Sequence, residues 1–540
     1  MVATSNETAA RGSQRRVWGA SGGALGKWSW AVEGLATGED ADGRRWTPDE
    51  AEVGGQSARP LSYIPDRLPP AASRPSRPPP AGCATDDGGG DGDCSRWVGA
   101  GGETPPHWYI TLFCQYMLAD PPNRIVHLRA LAIKDGAFLA SARRADGRDT
   151  WLEDFSCAPL LSDVLRAAHN LRRLYIRDLE PLLASQPAVA DAIAGLTRLR
   201  DAHFHIVGKA TLELLARTAW RPTRLVFGVW RDGSARVAGD TAAFTAYAPH
   251  LRTLQLWQVA CLLESLPPGC VCAGVRALGL GGRIPSLGGV AHAFPTVRTL
   301  TFAPECSVGD LPAAGAWDAL DSVFTSVPVP PLGCAVRRLE LRYVLGAPLR
   351  RYTAQAVLAR TLELIRPSAP TVLACALAPG IATDVLRTIA DAAPRLAHLE
   401  LVLVADALDG DLGAWVTQHV ACFAAVRLQS LSLSAPGPAT PELAMRIALA
   451  AALAVPSLQW VGVALQPRGA AGFSGGATRG CTHHGPREGG NGESDAERFE
   501  RPHVWFRVRR MQGPLLERLS SARGEHEHTR LRAAGEVVAE

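Results

Sequence analysis

Cysteine and histidine side chains that could bind a metal ion occur in three short clusters. The clusters are Cys481 with His483 and His484, His526 with His528, and Cys270 with Cys272. Zinc prefers thiolate and imidazole ligands, but a structural zinc site pairs them at regular spacings, and none of these clusters does so. The spacing therefore predicts no bound metal and no cofactor. A metal-dependent or enzymatic module that uses the C-terminal cysteine and histidines stays open as an alternative hypothesis.

Motifs of other catalytic classes are incomplete. The segment GGALGK at 22–27 resembles a phosphate-binding loop, yet Ser21 stands where the first glycine is required. Trp28 stands where a serine or threonine would bind magnesium. Serine-hydrolase, zinc-protease and dinucleotide-binding signatures do not occur in a usable context. We therefore predict that the chain is not an enzyme.

An arginine recurs at one position of a motif that the chain repeats. It follows the first apolar residue of the motif in seven copies, at Arg129, Arg172, Arg200, Arg252, Arg276, Arg298 and Arg337. If the copies stack, these arginines form a row that could meet an acidic partner. The alternative is a solvated turn position without a partner, which the nearly balanced charge of the chain favours.

The repeated motif has one apolar residue, two variable residues, a second apolar residue, one variable residue and a third apolar residue. Copies read HLRALAI at 127–133, NLRRLYI at 170–176, HLRTLQL at 250–256, GVRALGL at 274–280, TVRTLTF at 296–302, AVRRLEL at 335–341, RLAHLEL at 395–401, RLQSLSL at 427–433 and SLQWVGV at 457–463. Looser copies occur at 198–204, 222–228 and 371–377. The last two apolar residues are two apart, so both side chains point to one face of a strand.

Helical patterns separate the copies, which predicts parallel strands joined by helices. Examples are the segments at 159–168, 187–196, 210–219, 352–365, 382–393, 412–426 and 441–455. Recurrence of one such unit at intervals of a few tens of residues is typical of a solenoid. We therefore predict an α/β solenoid with the parallel sheet on its concave side and the helices outside.

The residues between the apolar positions are candidates for binding. In the copy at 171–176, Leu174 and Ile176 should enter the core, whereas Arg173 and Tyr175 should face the concave surface. The same rule gives the candidate protein-binding residues Arg173, Tyr175, His203, Gln255, Trp257, Arg338, Glu340, Arg342, His398, Glu400 and Trp460. Tyrosine, tryptophan and arginine anchors suit protein recognition better than catalysis. The alternative is a set of ordinary exposed strand residues without a partner.

Composition divides the chain into four regions. Residues 1–104 are dense in Gly, Pro, Ser and Asp, which predicts a disordered low-complexity region. The solenoid is expected over 105–466, where the motif copies lie. Residues 467–499 form a Gly-rich insertion that we also expect to be disordered. Residues 500–540 are expected to form a C-terminal cap strand and helix, with HVWFRVRR at 503–510 as an edge strand.

Charge and cysteine content limit the partners and the compartment. The formal net charge of +4 over 540 residues gives no support for binding to nucleic acid or to an anionic membrane. The chain has no run of 18 apolar residues, and its N-terminal segment MVATSNETAARGSQRRVWGAS has no apolar stretch of secretory length. Its 12 cysteines lack regular spacing, which favours reduced thiols. We therefore expect an intracellular protein, cytoplasmic or nuclear.

Residues 106–520 resemble leucine-rich repeats of the irregular, long-helix kind. The resemblance is to uncharacterised F-box/leucine-rich-repeat proteins of mushroom-forming fungi, and includes FCQYMLADPPNRIVHLRALAI at the start and WFRVRRMQGPLLERLS at the end. It implies an irregular leucine-rich-repeat-like solenoid. The turn slot that ordinarily holds Asn or Cys holds Gly136, Leu179 and Val259 here. The only candidate opening of an F-box, at Ile64-Pro65, runs directly into prolines.

These observations predict a non-catalytic repeat protein that binds another protein on its concave sheet. By resemblance, it would be a degenerate F-box-type substrate receptor of a cullin ubiquitin ligase. A Skp-type adaptor would be a partner only if an F-box has been missed. A structural scaffold without a ligase link is the remaining alternative.

Overall fold

The computed structural model describes most of the chain after residue 105. The described residues are 106–134, 136–143, 149–228, 247–257, 266, 269–309, 317–349, 351–378, 380–381, 383–404, 412–466, 503–510 and 512–533. The two regions predicted to be disordered, 1–104 and 467–499, lie outside them. Helix and strand alternate over most of the described chain, whereas residues 299–345 contain four strands without a described helix between them.

The strands of the described residues form one large sheet and two small ones. They are β1 Ala130–Ile133, β2 Leu139–Arg143, β3 Asp149–Glu153, β4 Arg173–Ile176, β5 Asp201–His205, β6 Arg224–Gly228, β7 Thr253–Trp257, β8 Ala277–Gly281, β9 Arg283–Ile284, β10 Thr299–Phe302, β11 Ser307–Val308, β12 Ala319–Thr325, β13 Ala335–Leu345, β14 Val372–Leu377, β15 His398–Leu403, β16 Ser430–Pro436, β17 Trp460–Gln466, β18 Val504–Arg510 and β19 Pro514–Arg518.

The large sheet contains 15 strands, and its neighbours follow chain order. Pairing is parallel from β1 through β17, whereas β18 and β19 are antiparallel. The hairpin of β2 with β3 and the short pair of β9 with β11 lie outside this sheet. The chain is therefore a mixed α/β protein built on one large, mostly parallel sheet.

Helices connect most of the neighbouring parallel strands. Strands β12 and β13 are an exception, because residues 326–334 join them without a helix. The described helices are α1 Pro106–Ala119, α2 Pro121–Arg124, α3 Ala158–Ala167, α4 Leu179–Ser185, α5 Pro187–Ala194, α6 Lys209–Arg217, α7 Leu287–Ala293, α8 Ala354–Ser368, α9 Thr383–Ala392, α10 Leu412–Val420, α11 Pro441–Ala454 and α12 Ser521–Ala533. A typical member, α9, buries Leu386, Ile389 and Ala390, which lie on one helical face. Helix α11 begins after Thr440, whose hydroxyl oxygen accepts a hydrogen bond from the Leu443 amide at 3.3 Å.

A continuous row of apolar side chains crosses the sheet at one register position. Pairing places Leu131 opposite Leu174, and the row then continues strand by strand. Its members are Leu131, Leu174, Ala202, Leu225, Leu254, Leu278, Leu300, Val323, Leu339, Leu373, Leu399, Leu431 and Val461. All are buried except Leu131, which is half-buried. Each buried leucine stabilises the fold by roughly 1.5–3 kcal/mol, so this row is the centre of the core. The prediction of one shared interior is confirmed.

The edge-strand prediction for 503–510 is wrong in one respect. Strand β18 does pair with β17, but β19 adds a further antiparallel strand beyond it. The outer position therefore belongs to Pro514–Arg518, whose first residue has no amide hydrogen to offer an additional strand. The last helix, α12, begins three residues after β19 ends and folds back towards the large sheet.

Candidate functional site

The strand residues that alternate with the apolar row form a second face of the large sheet, called the polar face below. One register row of it runs from Arg173 through Arg338 and His398 to Trp460. A second row contains Tyr175, His203, Gln255, Glu340 and Glu400. Trp257 belongs to a third row, and Arg342 reaches this face through its contact with the Phe324 ring, 4.8 Å from the guanidinium carbon to the ring centroid. The sequence-predicted residues therefore share one face.

The polar face has two parts that differ in exposure. Its open part consists of Arg173, Tyr175, His203, Gln255 and Trp257 on β4, β5 and β7, where Arg173 is exposed and the others are half-buried. Its covered part consists of Arg338, Glu340, Arg342, His398, Glu400 and Trp460 on β13, β15 and β17. Five of those six are at most 9% exposed, and Arg342 is half-buried. The sequence predicts all of these residues as binding candidates on the concave surface, but burial leaves the covered part inaccessible to a partner in this structure.

Rings and one ion pair organise the open part. The Tyr175 ring lies 6.0 Å from the His203 ring and 5.4 Å from the His205 ring, centroid to centroid. His203 Nε2 lies 2.8 Å from Asp201 Oδ1, and Arg224 Nε lies 3.9 Å from the same oxygen. Asp201 is the direct register neighbour of Arg173, and Arg224 is the next residue of the same row. The open part thus presents aromatic rings beside a mixture of charges.

Glycines on the next strand allow the large side chains of the open part to lie flat on the sheet. A Cβ atom at Gly281 would stand 2.6 Å from Cε3 of Trp257, and one at Gly228 would stand 2.8 Å from Nδ1 of His205. Any side chain at either glycine would push the ring away from the sheet. The sequence therefore fixes the orientation of Trp257 through a residue in the neighbouring strand.

Helix α12 explains the burial of the covered part. Arg532 on this helix donates to Glu400 through Nε at 2.8 Å and Nη2 at 2.6 Å, a bidentate contact. Arg337 donates from Nη1 to the main-chain oxygen of Arg532. Leu531 packs with Trp460, Trp505 and Leu519 in a small apolar cluster. The C-terminal helix therefore occupies the polar face instead of only closing the end of the sheet.

An ion network lies beneath that helix. Arg338 donates to Glu400 at 2.9 and 3.3 Å and to Glu340 at 2.8 Å, and Arg342 donates to Glu340 at 2.9 Å. Burial by itself raises the pKa of Glu400, but the Arg338 and Arg532 cations outweigh it and lower the pKa to about 2. Both carboxylates have cationic partners, so the network satisfies its charges internally. Such a network suits a docked structural contact.

Buried histidines surround the network. Burial and the Arg532 cation lower the pKa of His528 to about 3, against the opposing effect of Glu400. Burial and the Arg530 cation lower the pKa of His398 to about 4, again against Glu400. Both rings are therefore neutral near pH 7, and the His528 ring packs 4.7 Å from the Trp505 ring.

One arrangement beneath α12 has the order of groups found in serine hydrolases. Ser432 Oγ lies 2.8 Å from His503 Nε2, and His503 Nδ1 lies 3.9 Å from Glu525 Oε1. Ser432, however, is buried in the middle of β16, between β15 and β17. A substrate carbonyl therefore has no approach to this oxygen, unlike a nucleophile on an exposed turn. Glu525 also accepts from Trp505 Nε1 at 3.0 Å, so these residues hold α12 to the sheet.

The metal-binding clusters are not assembled in the part of the chain that the structure describes. Among the described residues no group of three or more His, Cys, Asp or Glu side chains could hold a metal ion. His528 is buried and His526 is exposed, so the two rings point to different surroundings. Cys272 is buried beside Cys270, and burial with this neighbour raises its pKa to about 12. Cys481, His483 and His484 lie outside the described residues.

Comparison with known proteins finds no family model that matches this chain, and no curated protein that matches it. Among the described helices, none is long and apolar enough to cross a membrane.

Proposed function

We propose that the chain is a non-catalytic protein-binding repeat protein, folded as an irregular leucine-rich-repeat-like solenoid. The partner binds on the open part of the polar face, which is the concave side of the solenoid. The observation that carries this proposal is the position of half-buried Tyr175 and Trp257 and exposed Arg173 on the uncovered part of a parallel sheet. Tyrosine, tryptophan and arginine are the residue types that contribute most to the binding energy of protein interfaces.

Pre-organisation supports the same proposal. Trp257 is held flat over Gly281, and Tyr175 packs against His203 and His205, so little rotamer freedom remains to be lost on binding. Asp201 and Arg224 lie at hydrogen-bonding or ionic distance of this cluster and provide polar groups beside the rings. An apolar anchor surrounded by polar groups is the usual anatomy of an interface.

The test compares partner capture by three forms of the protein in cells that express it naturally. In the variant Tyr175→Ala/Trp257→Ala the two rings are removed from the open part. The matched control, Met445→Ala/Leu453→Ala, removes two exposed apolar side chains from helix α11. We expect partners that the wild type and the control retain and that the face variant loses. Identical partners for all three forms would overturn the proposal.

A more specific form of this proposal is that the chain acts inside the cell as a substrate receptor of a cullin-type ubiquitin ligase. The resemblance of residues 106–520 to fungal F-box relatives supports it. Cys114 and Cys375 are buried and form no disulfide, which suits a reducing compartment. Co-purification with a Skp-type adaptor tests the ligase link. If no Skp-type adaptor co-purifies, the ligase link is excluded, whereas the proposal of protein binding is unaffected.

A further inference from the structure

The structure aligns six of the recurring arginines in one row, called the arginine ladder below. Its members are Arg129, Arg172, Arg200, Arg252, Arg276 and Arg298. Main-chain hydrogen bonds join each position to the next: Arg172 N donates to Arg129 O at 2.8 Å, and Arg200 N to Arg172 O at 2.9 Å. Thr223 occupies the next position, and the row then continues through Arg252 to Arg276 and Arg298 with amide-to-carbonyl distances of 2.8 Å. Each arginine therefore lies at or immediately before the start of its strand, one strand from the next arginine except where Thr223 separates Arg200 from Arg252.

The ends of the ladder are also defined. Asp321 N donates to Arg298 O, so an acidic residue occupies the position after Arg298. Arg337, the seventh recurring arginine, is half-buried and bonds to helix α12, so it does not extend the exposed row. Neighbouring strands lie about 4.8 Å apart, and the seven positions from Arg129 to Arg298 therefore span roughly 29 Å.

The charge of the ladder is not neutralised within the described part of the chain. All six arginines are exposed, and none of them forms an ion pair with a described carboxylate. Arg252 and Arg276 donate only to main-chain oxygens, of Gly274 at 3.4 Å and of Thr296 at 3.2 Å. Elsewhere on the surface the exposed arginines Arg166, Arg217, Arg387 and Arg530 do have carboxylate partners.

We propose that the arginine ladder binds an extended, acidic polypeptide segment. A row of like charges held at fixed spacing attracts a chain of opposite charge along its whole length. At about 3.3 Å per residue, roughly nine extended residues cover the span. Polypeptide is favoured over nucleic acid because the sequence pI of about 8.5 is below that typical of nucleic-acid-binding domains. The ladder also borders the strand that carries Arg173 and Tyr175, so this inference rests on the proposed protein-binding function.

The probe is a fluorescein-labelled deca-glutamate peptide, titrated with the protein and followed by fluorescence anisotropy. The ladder variant is Arg129→Gln/Arg172→Gln/Arg200→Gln, because these exposed side chains form no ion pair with a described carboxylate. Circular dichroism verifies that the variant is folded. The matched control is Arg166→Gln/Arg387→Gln/Arg530→Gln, which removes the same charge from arginines that have carboxylate partners.

We expect the dissociation constant to rise at least tenfold for the ladder variant and less than twofold for the control. Binding should also weaken steeply between low and physiological salt. Equal weakening by both variants would overturn the proposal, because it would show a dependence on net charge alone. So would the absence of binding at low salt, which would leave the arginines as solvated turn positions. Tighter, ladder-dependent binding of a single-stranded oligodeoxythymidine than of the peptide would replace polypeptide by nucleic acid. None of these outcomes depends on Tyr175 or Trp257, so the proposed function would be tested separately.

Discussion

The contact between Glu400 and Arg532 is predicted to decide whether helix α12 stays on the polar face. The Glu400 carboxylate is 3% exposed and accepts two hydrogen bonds from Arg338 and two from Arg532. The substitution Glu400→Gln keeps the shape of the side chain but leaves two guanidinium groups without their shared anion. Removal of one partner from a buried ion pair costs about 3–5 kcal/mol. Arg532 is partly solvated, so we expect the lower end, about 3 kcal/mol.

Hydrogen exchange followed by mass spectrometry measures this cost directly. Opening of α12 exposes its main-chain amides, so a loss of about 3 kcal/mol corresponds to exchange roughly 100-fold faster over Ser521–Ala533. The matched control is Glu527→Gln on the same helix, where the carboxylate pairs with the exposed Arg530 at 2.7 Å. An exposed pair contributes about 0–1 kcal/mol, so the control should exchange almost as slowly as the wild type.

The double variant Glu400→Gln/Arg532→Gln isolates the pair itself. Because both single changes break one shared contact, their costs should not add, and the double variant should lose at least 1 kcal/mol less than the sum of the single losses. Exchange of α12 within about 0.5 kcal/mol of wild type in Glu400→Gln would refute the reasoning. It would mean that the apolar cluster of Leu531 with Trp505 holds the helix without help from the ions.

Two further predictions concern pH and packing. The pKa values of His398 and His528 fall from 6.5 to about 4 and about 3 on burial under α12, so the undocked state binds more protons as the pH drops. The free energy that holds α12 on the sheet should therefore be greatest above about pH 6.5. Between pH 6.5 and 4.5 it should fall by up to 1.4 kcal/mol per histidine per pH unit. Hydrogen exchange of α12 that is independent of pH, after correction for intrinsic rates, would contradict this. The substitution Gly281→Ala should lower the free energy of unfolding by about 1–3 kcal/mol, because the new methyl group collides with the Trp257 ring. Urea titrations measure this free energy. The control Gly289→Ala lies on helix α7 with no atom within 4 Å of the new Cβ, so it should be neutral or slightly stabilising. An equal loss of unfolding free energy in the two variants would refute the packing argument.

The sheet could be predicted from the sequence because the spacing of apolar residues in the motif determines how neighbouring strands align. In each copy the second and third apolar residues are two apart, so aligning the copies places Leu174, Leu254 and Leu399 in one row, as the structure does. Strand β12 was missed because Ala319–Thr325 departs from the motif. The hairpin of β2 and β3 was missed because Leu139–Arg143 is short and lacks an alternating apolar pattern.

The covering of the polar face could not be predicted in this way. Helix α12 is polar on most sides and buries only Gly524, His528 and Leu531, so its sequence carries no apolar stripe that would indicate where it packs. The contact that fixes its position joins Arg532 to Glu400, 132 residues earlier in the chain. An ion pair between two single residues so far apart in sequence produces no local sequence pattern that would predict it. Two consequences of the motif, the shared face and the arginine row, were nevertheless visible in the sequence.

The most direct test of the account is hydroxyl-radical footprinting of the aromatic side chains in the full-length protein. The polar face should be open at β4–β7 and covered by helix α12 at β13–β18. This arrangement predicts rapid oxidation of Tyr175 and Trp257, and protection of Trp460 and Trp505, which are 9% and 1% exposed. Oxidation of Trp505 at the rate of Trp257 would contradict the account, since it would show that helix α12 does not cover the sheet.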